Sequence, residues 1–434
     1  MQAVIAMPAA DAVDRLDAPV CGVPLIVRVI ETALRAGATR VLLLYPPNLP
    51  ADRPRKLLTW LFKKDAPVQA VRLAQTFHPG RSSDWAEIEG YLDPQFLWTP
   101  YDFVPHKAAL GALLAAASDC PASNVRFAGP VDIGADSDVF ARPTILNKRD
   151  LTAQRALVFE TVPWKGQPGV PLRPPANLKD AEIELVRGTG KVTDGIYSRF
   201  NRRLCWPAVR WLSHTWITPN GVSFGGLAVA LLAGLAFAQG SWAYDAVGGL
   251  LFFVAGLFDE IDGMLARLKF RESALGCWLE TWIDYTSYVL MYAGMMIGAY
   301  RRAGEFYLWL GAAVVFGCLL SFGVISWQRR LAAPAGAPNE YYRLHLARLD
   351  RDERNPISLV IRNLHFLIRK GVLIHYALLF AVLGGTRLFL ILSALGANIA
   401  WIVTIYFNRR LYMPRDSRRS AVVSGSAVFA EVKK

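Results

Sequence analysis

Hydrophobic and polar positions alternate over short periods through the first 160 residues, and past residue 219 they give way to apolar runs about one bilayer long. MQAVIAM at 1–7 and TRVLLLYP at 39–46 are compact apolar runs that read as strands. PLIVRVIETALRAG between them has the three-to-four spacing of an amphipathic helix. Strand, helix and strand in that order predict an α/β layer with parallel strands. In the second half six spans can be drawn, roughly 221–238, 244–266, 276–300, 305–328, 371–385 and 388–407. Most approach the ~20 residues a bilayer requires, while the fifth is short unless it starts earlier, around Leu364. The pattern therefore predicts a multi-domain chain, an α/β domain over 1–161 followed by an all-α six-helix transmembrane domain over 219–410.

Between the two halves the composition changes twice. Residues 162–192 form a linker whose first part, VPWKGQPGVPLRPPANL, is dense in Pro and Gly and so extended rather than packed. Residues 193–218 interleave Arg199, Arg202, Arg203 and Arg210 with Phe200, Trp206 and Trp211, the mixture of an amphipathic helix lying in a membrane interface. Thr218-Pro219-Asn220 then opens the first span, with proline where no helical hydrogen bond is lost. LAAPAGAPNE at 331–340 is a second loose stretch, and the tail at 411–434 reads as disordered.

Charge sets orientation and removes one class of partner. The chain of 434 residues carries a net charge of +13, but the basic residues cluster beside apolar runs, which points to a lipid surface and away from nucleic acid. Segments 329–370 and 408–434 hold nine and seven Lys/Arg, whereas the three opposite loops hold Arg301, Arg302 and Arg387. By the positive-inside rule the N-terminal domain, the long loop and the C-terminus face the cytoplasm. The N-terminus lacks a charged stretch followed by a long apolar core, so no cleavable signal peptide is expected. Cys21, Cys120, Cys205, Cys277 and Cys318 are scattered without a C-x-x-C pair and read as reduced thiols with no metal role.

The chemistry concentrates in one segment, DEIDGMLARLKFRESALGCWLETWID at 259–284. Asp259 and Asp262 are three apart, and Glu280 and Asp284 four apart, so each pair shares a face of its own helix. A short turn around Arg271 to Ala274 would make those helices antiparallel and bring the pairs together. Four carboxylates at close range cannot all stay ionised without compensation. Divalent cations supply it, and an all-oxygen site suits Mg²⁺ or Mn²⁺. Gly263 clears a path to the helix backbone, and Arg267, one turn on, can grip a phosphate with its planar fork. The acidic end of spans two and three lies on the cytoplasmic side in the orientation above.

The spacing follows D-x-x-D-G-x-x-A-R-x8-G-x3-D-x3-D, with Glu280 in place of the third Asp. It resembles the signature of the CDP-alcohol phosphatidyltransferase family, whose members transfer a phospho-alcohol from a CDP-alcohol to a second alcohol and release CMP. The resemblance implies six transmembrane helices, a homodimer and a two-metal site on the cytoplasmic side. Carried over residue by residue, it makes Asp259, Asp262 and Glu280 metal ligands and Asp284 the base that deprotonates the acceptor hydroxyl, with a ligand role open beside it. Gly263, Ala266, Arg267 and Gly276 would line the cytidine diphosphate pocket, and Thr218, Pro219 and Asn220 would border it. Glu280 departs from the pattern: its extra methylene moves the carboxylate by about 1.5 Å, roughly one C–C bond, and leaves it able to ligate a hard cation. Asp194-Gly195 through Arg202 further resembles what precedes the membrane domain in the di-inositol-phosphate-phosphate synthase group, where a cytidylyltransferase domain is fused in front.

The N-terminal half is consistent with a decayed version of such a domain. CGVPLIVRVIETALRAGATRVLLL resembles the opening of sugar-nucleotide nucleotidyltransferases. The loop after the first strand, MPAADAVDRLDAP, has no glycine until Gly22, so its backbone cannot wrap phosphates closely. Asp102 stands where such domains keep a metal-binding acid. The expectation is a degenerate nucleotidyltransferase-like domain without turnover. Two other functions fit fewer features: a non-catalytic membrane scaffold of the same family, and an ion or solute transporter, since intramembrane acids also mark ion pathways. Donor and acceptor are open, with CDP-diacylglycerol and CDP-inositol both compatible and phospholipid or inositol-phosphate lipid synthesis the expected setting.

Overall fold

The computed structural model describes residues 1–7, 18–49, 59, 67–120, 123–127, 140–152, 157–163, 169–172, 178–190, 195–332 and 370–407. The loop after the first strand, much of the Pro/Gly linker, the segment holding Arg343 to Arg354 and the tail lie outside the described residues. The chain divides into two compact units. The first is Met1–Thr189 together with Arg210–Thr215 and Leu268–Phe270, and the second is the remainder.

The first unit is built on a seven-stranded sheet. Its strands are β1 (Gln2–Ala6), β2 (Arg40–Tyr45), β3 (Val68–Arg72), β4 (Gln95–Trp98), β5 (Asn124–Phe127), β6 (Thr144–Asn147) and β7 (Phe159–Val162). Their order in space is β7-β5-β6-β4-β1-β2-β3. β1 pairs parallel with β2 (Val4 opposite Leu42) and with β4 (Gln2 opposite Phe96). β6 runs antiparallel to both neighbours. The expected strand–helix–strand opening is present: α1 (Leu25–Ala36) connects β1 to β2 as the crossover that parallel strands need. All five residues of β1 are buried, as a central strand covered on both faces must be. One face packs α1 with α2 (Lys107–Asp119), and the other carries a cluster around Trp85, Phe96, Trp98 and Leu146. A third helix, α3 (Leu178–Arg187), closes the unit.

The glycine that ends the glycine-poor loop has a structural task. Gly22 has φ +72°, and a Cβ there would stand 2.0 Å from the carbonyl oxygen of Ser213. Beside it the Cys21 amide donates to Glu182 Oε1, and Glu182 also pairs with Arg210 and His214 at 3.0 and 2.8 Å. Burial pushes the Cys21 thiol up to about 11, so it is a packed thiol and not a reactive one.

The second unit is helical. A helix α4 (Ile196–Ser213), with Pro207 inside it, begins here, and among the described residues six helices follow: α5 (Pro219–Ala238), α6 (Trp242–Leu268), α7 (Ala274–Ala303), α8 (Phe306–Ala332), α9 (Lys370–Val382) and α10 (Thr386–Phe407). Among the described residues, six helices stand where six spans were expected. By length and composition α5, α8 and α10 are each apolar enough to cross a membrane, and α9 is apolar but short. α6 and α7 have the length, at 27 and 30 residues, but their carboxylates and arginines lower their hydropathy. α5 and α7 pack at backbone contact: a Cβ on Gly294 would lie 2.1 Å from Gly234 O, and one on Gly298 2.1 Å from Phe237 O. Small residues at such a crossing let helices approach closely within a membrane.

Candidate active site

The two acid-bearing helices end and begin close together. α6 terminates at Leu268 and α7 opens at Ala274, where the Ser273 side chain caps it by accepting from the Gly276 amide at 3.0 Å. That places Asp259 and Asp262 in the last turns of one helix and Glu280 and Asp284 in the early turns of the next. All four line a single cavity of about 20 Å³, with Ser223 from α5, Tyr288 from α7 and Ile374 from α9. A space of that size holds an ion or a water.

Asp262 is the most buried of the four, at 5% exposure. Its Oδ2 accepts a short hydrogen bond from the Ser223 hydroxyl, whose oxygen also lies 3.2 Å from the Pro219 carbonyl. Among the described residues no three His, Cys, Asp or Glu side chains form a ready-made metal-ligating group. The donor set itself suits a hard divalent cation: four carboxylates and the hydroxyls of Ser223, Ser287 and Tyr288 line one small cavity, with no sulfur or imidazole among them.

The remaining candidates lie outside that lining. The Arg267 guanidinium folds back along its own helix over Gly263, with Nη1 3.5 Å from where a Cβ would stand, an ordinary contact distance. Ala266 sits on the same turn. A Cβ on Gly276 would lie 3.1 Å from Ser273 Oγ and 3.9 Å from Asn220 Oδ1, which brings the start of α5 beside the start of α7. Thr218 caps α5, accepting from the Gly221 amide at 3.1 Å, and Pro219 occupies the first helical position. Asp102 follows β4 in the first unit and forms no part of this site.

Three contacts around this cluster escaped the sequence reading. Glu260, inside the signature, pairs with Arg202 of α4 at 2.9 Å, and both side chains are nearly buried. Arg329, near the end of α8, donates to Thr281 Oγ1 at 2.6 Å and lies over the Trp278 ring at 5.2 Å, next to Glu280 in sequence. Ser223, four residues past the start of α5, carried no signal beyond the helix period that puts it on the face of Pro219.

With this geometry in view, comparison with known proteins is decisive for the helical half. Residues 216–405 match the family model described as CDP-alcohol phosphatidyltransferase. This stretch is a CDP-alcohol phosphatidyltransferase domain. The chain is also similar to a bifunctional IPC transferase and DIPP synthase of Aquifex aeolicus, 25% identical over 235 residues, which is 54% of this chain and 48% of that protein. A protein of the same description from Thermococcus kodakarensis is 32% identical over 111 residues, 25% of each chain. The ceramide phosphoethanolamine synthase of Drosophila melanogaster is 44% identical over 55 residues, 13% of this chain and 14% of that protein. These matches span at most about half the length of the curated relatives.

Proposed function

We propose that the protein is an integral membrane phosphotransferase that moves a phospho-alcohol from a CDP-alcohol to an acceptor hydroxyl and releases CMP. The observation that carries the reading is the meeting of Asp259, Asp262, Glu280 and Asp284 around one cavity. They lie within the stretch that matches the CDP-alcohol phosphatidyltransferase model.

Asp259, Asp262 and Glu280 would hold Mg²⁺ or Mn²⁺ as a pair of ions, with a ligand role open to Asp284. When bound, the ions neutralise the diphosphate and the charge growing on the leaving group. Asp284 accepts the proton of the acceptor hydroxyl. The acceptor oxygen then forms a bond to the β-phosphorus, the bond from that phosphorus to the bridging oxygen breaks, and CMP departs with the electron pair. Arg267 offers a flat fork of donors to a phosphate. Gly263, Ala266 and Gly276, with Thr218, Pro219 and Asn220, would border the cytidine diphosphate. Ser223 keeps Asp262 oriented by its hydrogen bond.

The site faces the cytoplasm in this reading, with the N-terminal domain and C-terminus on the same side, and the protein works as a homodimer. The DIPP synthase relatives, with the similarity around Arg199 and Arg202, favour CDP-inositol or another soluble CDP-alcohol as donor. The ceramide phosphoethanolamine synthase match favours a lipid among the acceptors. The test is CMP release by the purified protein with Mg²⁺ or Mn²⁺, offered CDP-inositol or CDP-diacylglycerol and a panel of acceptors. Metal-dependent release on one donor, abolished in Asp284→Asn, is expected. A folded protein that turns over neither donor and binds no CDP overturns the reading.

A further inference from the structure

The turn that joins the two acid-bearing helices belongs to the α/β unit. Leu268–Phe270 is counted with Met1–Thr189 and not with the helices on either side of it. The contacts that make it so are specific. Arg28, on α1, is 3% exposed and donates through Nη2 to the carbonyl oxygens of Val20 at 2.7 Å and of Leu268 at 3.0 Å. Arg35, two turns along the same helix, donates to Phe270 O at 2.8 Å. The Phe270 ring lies beneath both guanidinium groups, 5.1 Å from Arg28 and 5.0 Å from Arg35. Lys269 donates to Leu212 O and Thr215 O, at 3.1 and 2.7 Å, the carbonyls that end α4.

Two features mark this grip as more than packing. Phe270 has φ +54°, a left-handed conformation that a non-glycine residue keeps only where its surroundings hold it. Arg28 is a buried cation whose hydrogen bonds go to neutral carbonyls, and burial lowers its pKa to about 10. A leucine at that helix position would bury itself without this desolvation cost. The arginine does what leucine cannot: it spans two separate backbone segments and fixes the last carbonyl of α6. Each residue of slippage at a helix end rotates the face by about 100°, so the turn sets how the Asp259–Asp262 face meets the Glu280–Asp284 face.

We propose that Arg28, seconded by Arg35, is a positioning residue for the four-carboxylate site: by fixing the Leu268–Phe270 turn it sets the relative register of α6 and α7. This inference rests on the reading of that site as a metal-dependent, CMP-releasing centre. It deepens that reading by giving the α/β unit a task that needs no nucleotide turnover of its own.

The experiment uses the full chain in detergent, comparing the wild type with Arg28→Met, Arg28→Lys and Phe270→Leu. Three readouts are taken: the kcat and KM of CMP release, Mn²⁺ affinity by electron paramagnetic resonance, and the rate of tryptic cleavage after Lys269 and Arg271. Arg28→Met is expected to lower kcat about tenfold or more with KM moved less than about threefold, the pattern of a misplaced catalytic group. It should also weaken Mn²⁺ binding and expose the turn to trypsin, while Arg28→Lys recovers part of each. Phe270→Leu preserves the apolar volume and should show the same effects in milder form, so the inference stays testable if Arg28→Met fails to fold. Wild-type kcat and Mn²⁺ affinity in a variant whose turn has become cleavable would overturn the positioning role. If the wild type binds Mn²⁺ but releases no CMP, the functional reading fails instead, and the Mn²⁺ and trypsin comparisons still decide the positioning.

Discussion

The Ser223 hydroxyl is hydrogen-bonded to Asp262 Oδ2, tying α5 to the buried acid of α6. A hydrogen bond to a charged acceptor is worth about 1.5–3 kcal/mol. Ser223→Ala removes it and leaves the helix period and the apolar volume almost unchanged. The expected outcome is a fall in kcat of about ten- to a hundredfold and a higher Mg²⁺ requirement, with stability lowered by about 1–3 kcal/mol. A steady-state assay across a metal titration measures this. Unchanged kinetics would show that Asp262 is held by other contacts.

Asp284→Asn keeps the side-chain shape and removes the proton acceptor. It should fold, remain in the membrane fraction and lose CMP release. Glu280→Asp restores the spacing of the CDP-alcohol phosphatidyltransferase pattern and should retain or improve activity. Complete loss in Glu280→Asp would mean the cavity has been rebuilt around the longer acid.

At the other end of α6 a second buried charge has a structural role. Asp245 Oδ2 accepts from Arg302 at 2.9 Å and from Thr386 Oγ1 at 2.9 Å, joining α6, α7 and α10. Arg302 also donates to the Gly240 carbonyl, and Arg301 donates to Ala238 O at 2.8 Å. Asp245 lies fourteen residues before Asp259, about 21 Å along the axis. Arg302→Leu strands the Asp245 charge and should lower unfolding stability by about 1–3 kcal/mol in detergent, with kcat unchanged. A drop in kcat without a drop in stability would contradict that division of labour.

His106 gives the α/β unit a pH dependence. Burial holds its pKa below the usual 6.5, the neighbouring Glu184 opposing the shift. The folded state therefore binds fewer protons than the unfolded chain as the pH falls through the ordinary histidine range. Stability is fully present above that range and is lost on acidification. The melting temperature of the unit should decline between about pH 7 and pH 5, and His106→Gln should flatten the decline. An equally steep profile in His106→Gln would move the effect to other groups.

Much of this was legible in the chain itself. Strict spacing on two helices announced the meeting of Asp259, Asp262, Glu280 and Asp284, because helical period alone decides which residues share a face. The α/β opening was readable for the same reason, since β1, α1 and β2 each carry their own period and a short connection. What the sequence hid were the long-range partners. Glu260 is one residue from Asp259 yet points toward Arg202, 58 positions away. Arg28 looked like one more polar residue on an amphipathic helix, and its partner at Leu268 is 240 positions distant. A main-chain carbonyl has no sequence signature, so a side chain that serves one cannot be foreseen from residue types.

The interleaving of the α/β unit has a consequence for how the chain is made. Synthesis runs from the N-terminus, so the first 189 residues leave the ribosome well before the two pieces that complete their unit, Arg210–Thr215 and Leu268–Phe270. The second piece follows α5 and α6 in the chain. Domains generally fold as units during translation, the N-terminal one first. Here the α/β layer is finished only after α5 and α6 have been made, so its completion waits on synthesis of the helices that carry Ser223, Asp259 and Asp262.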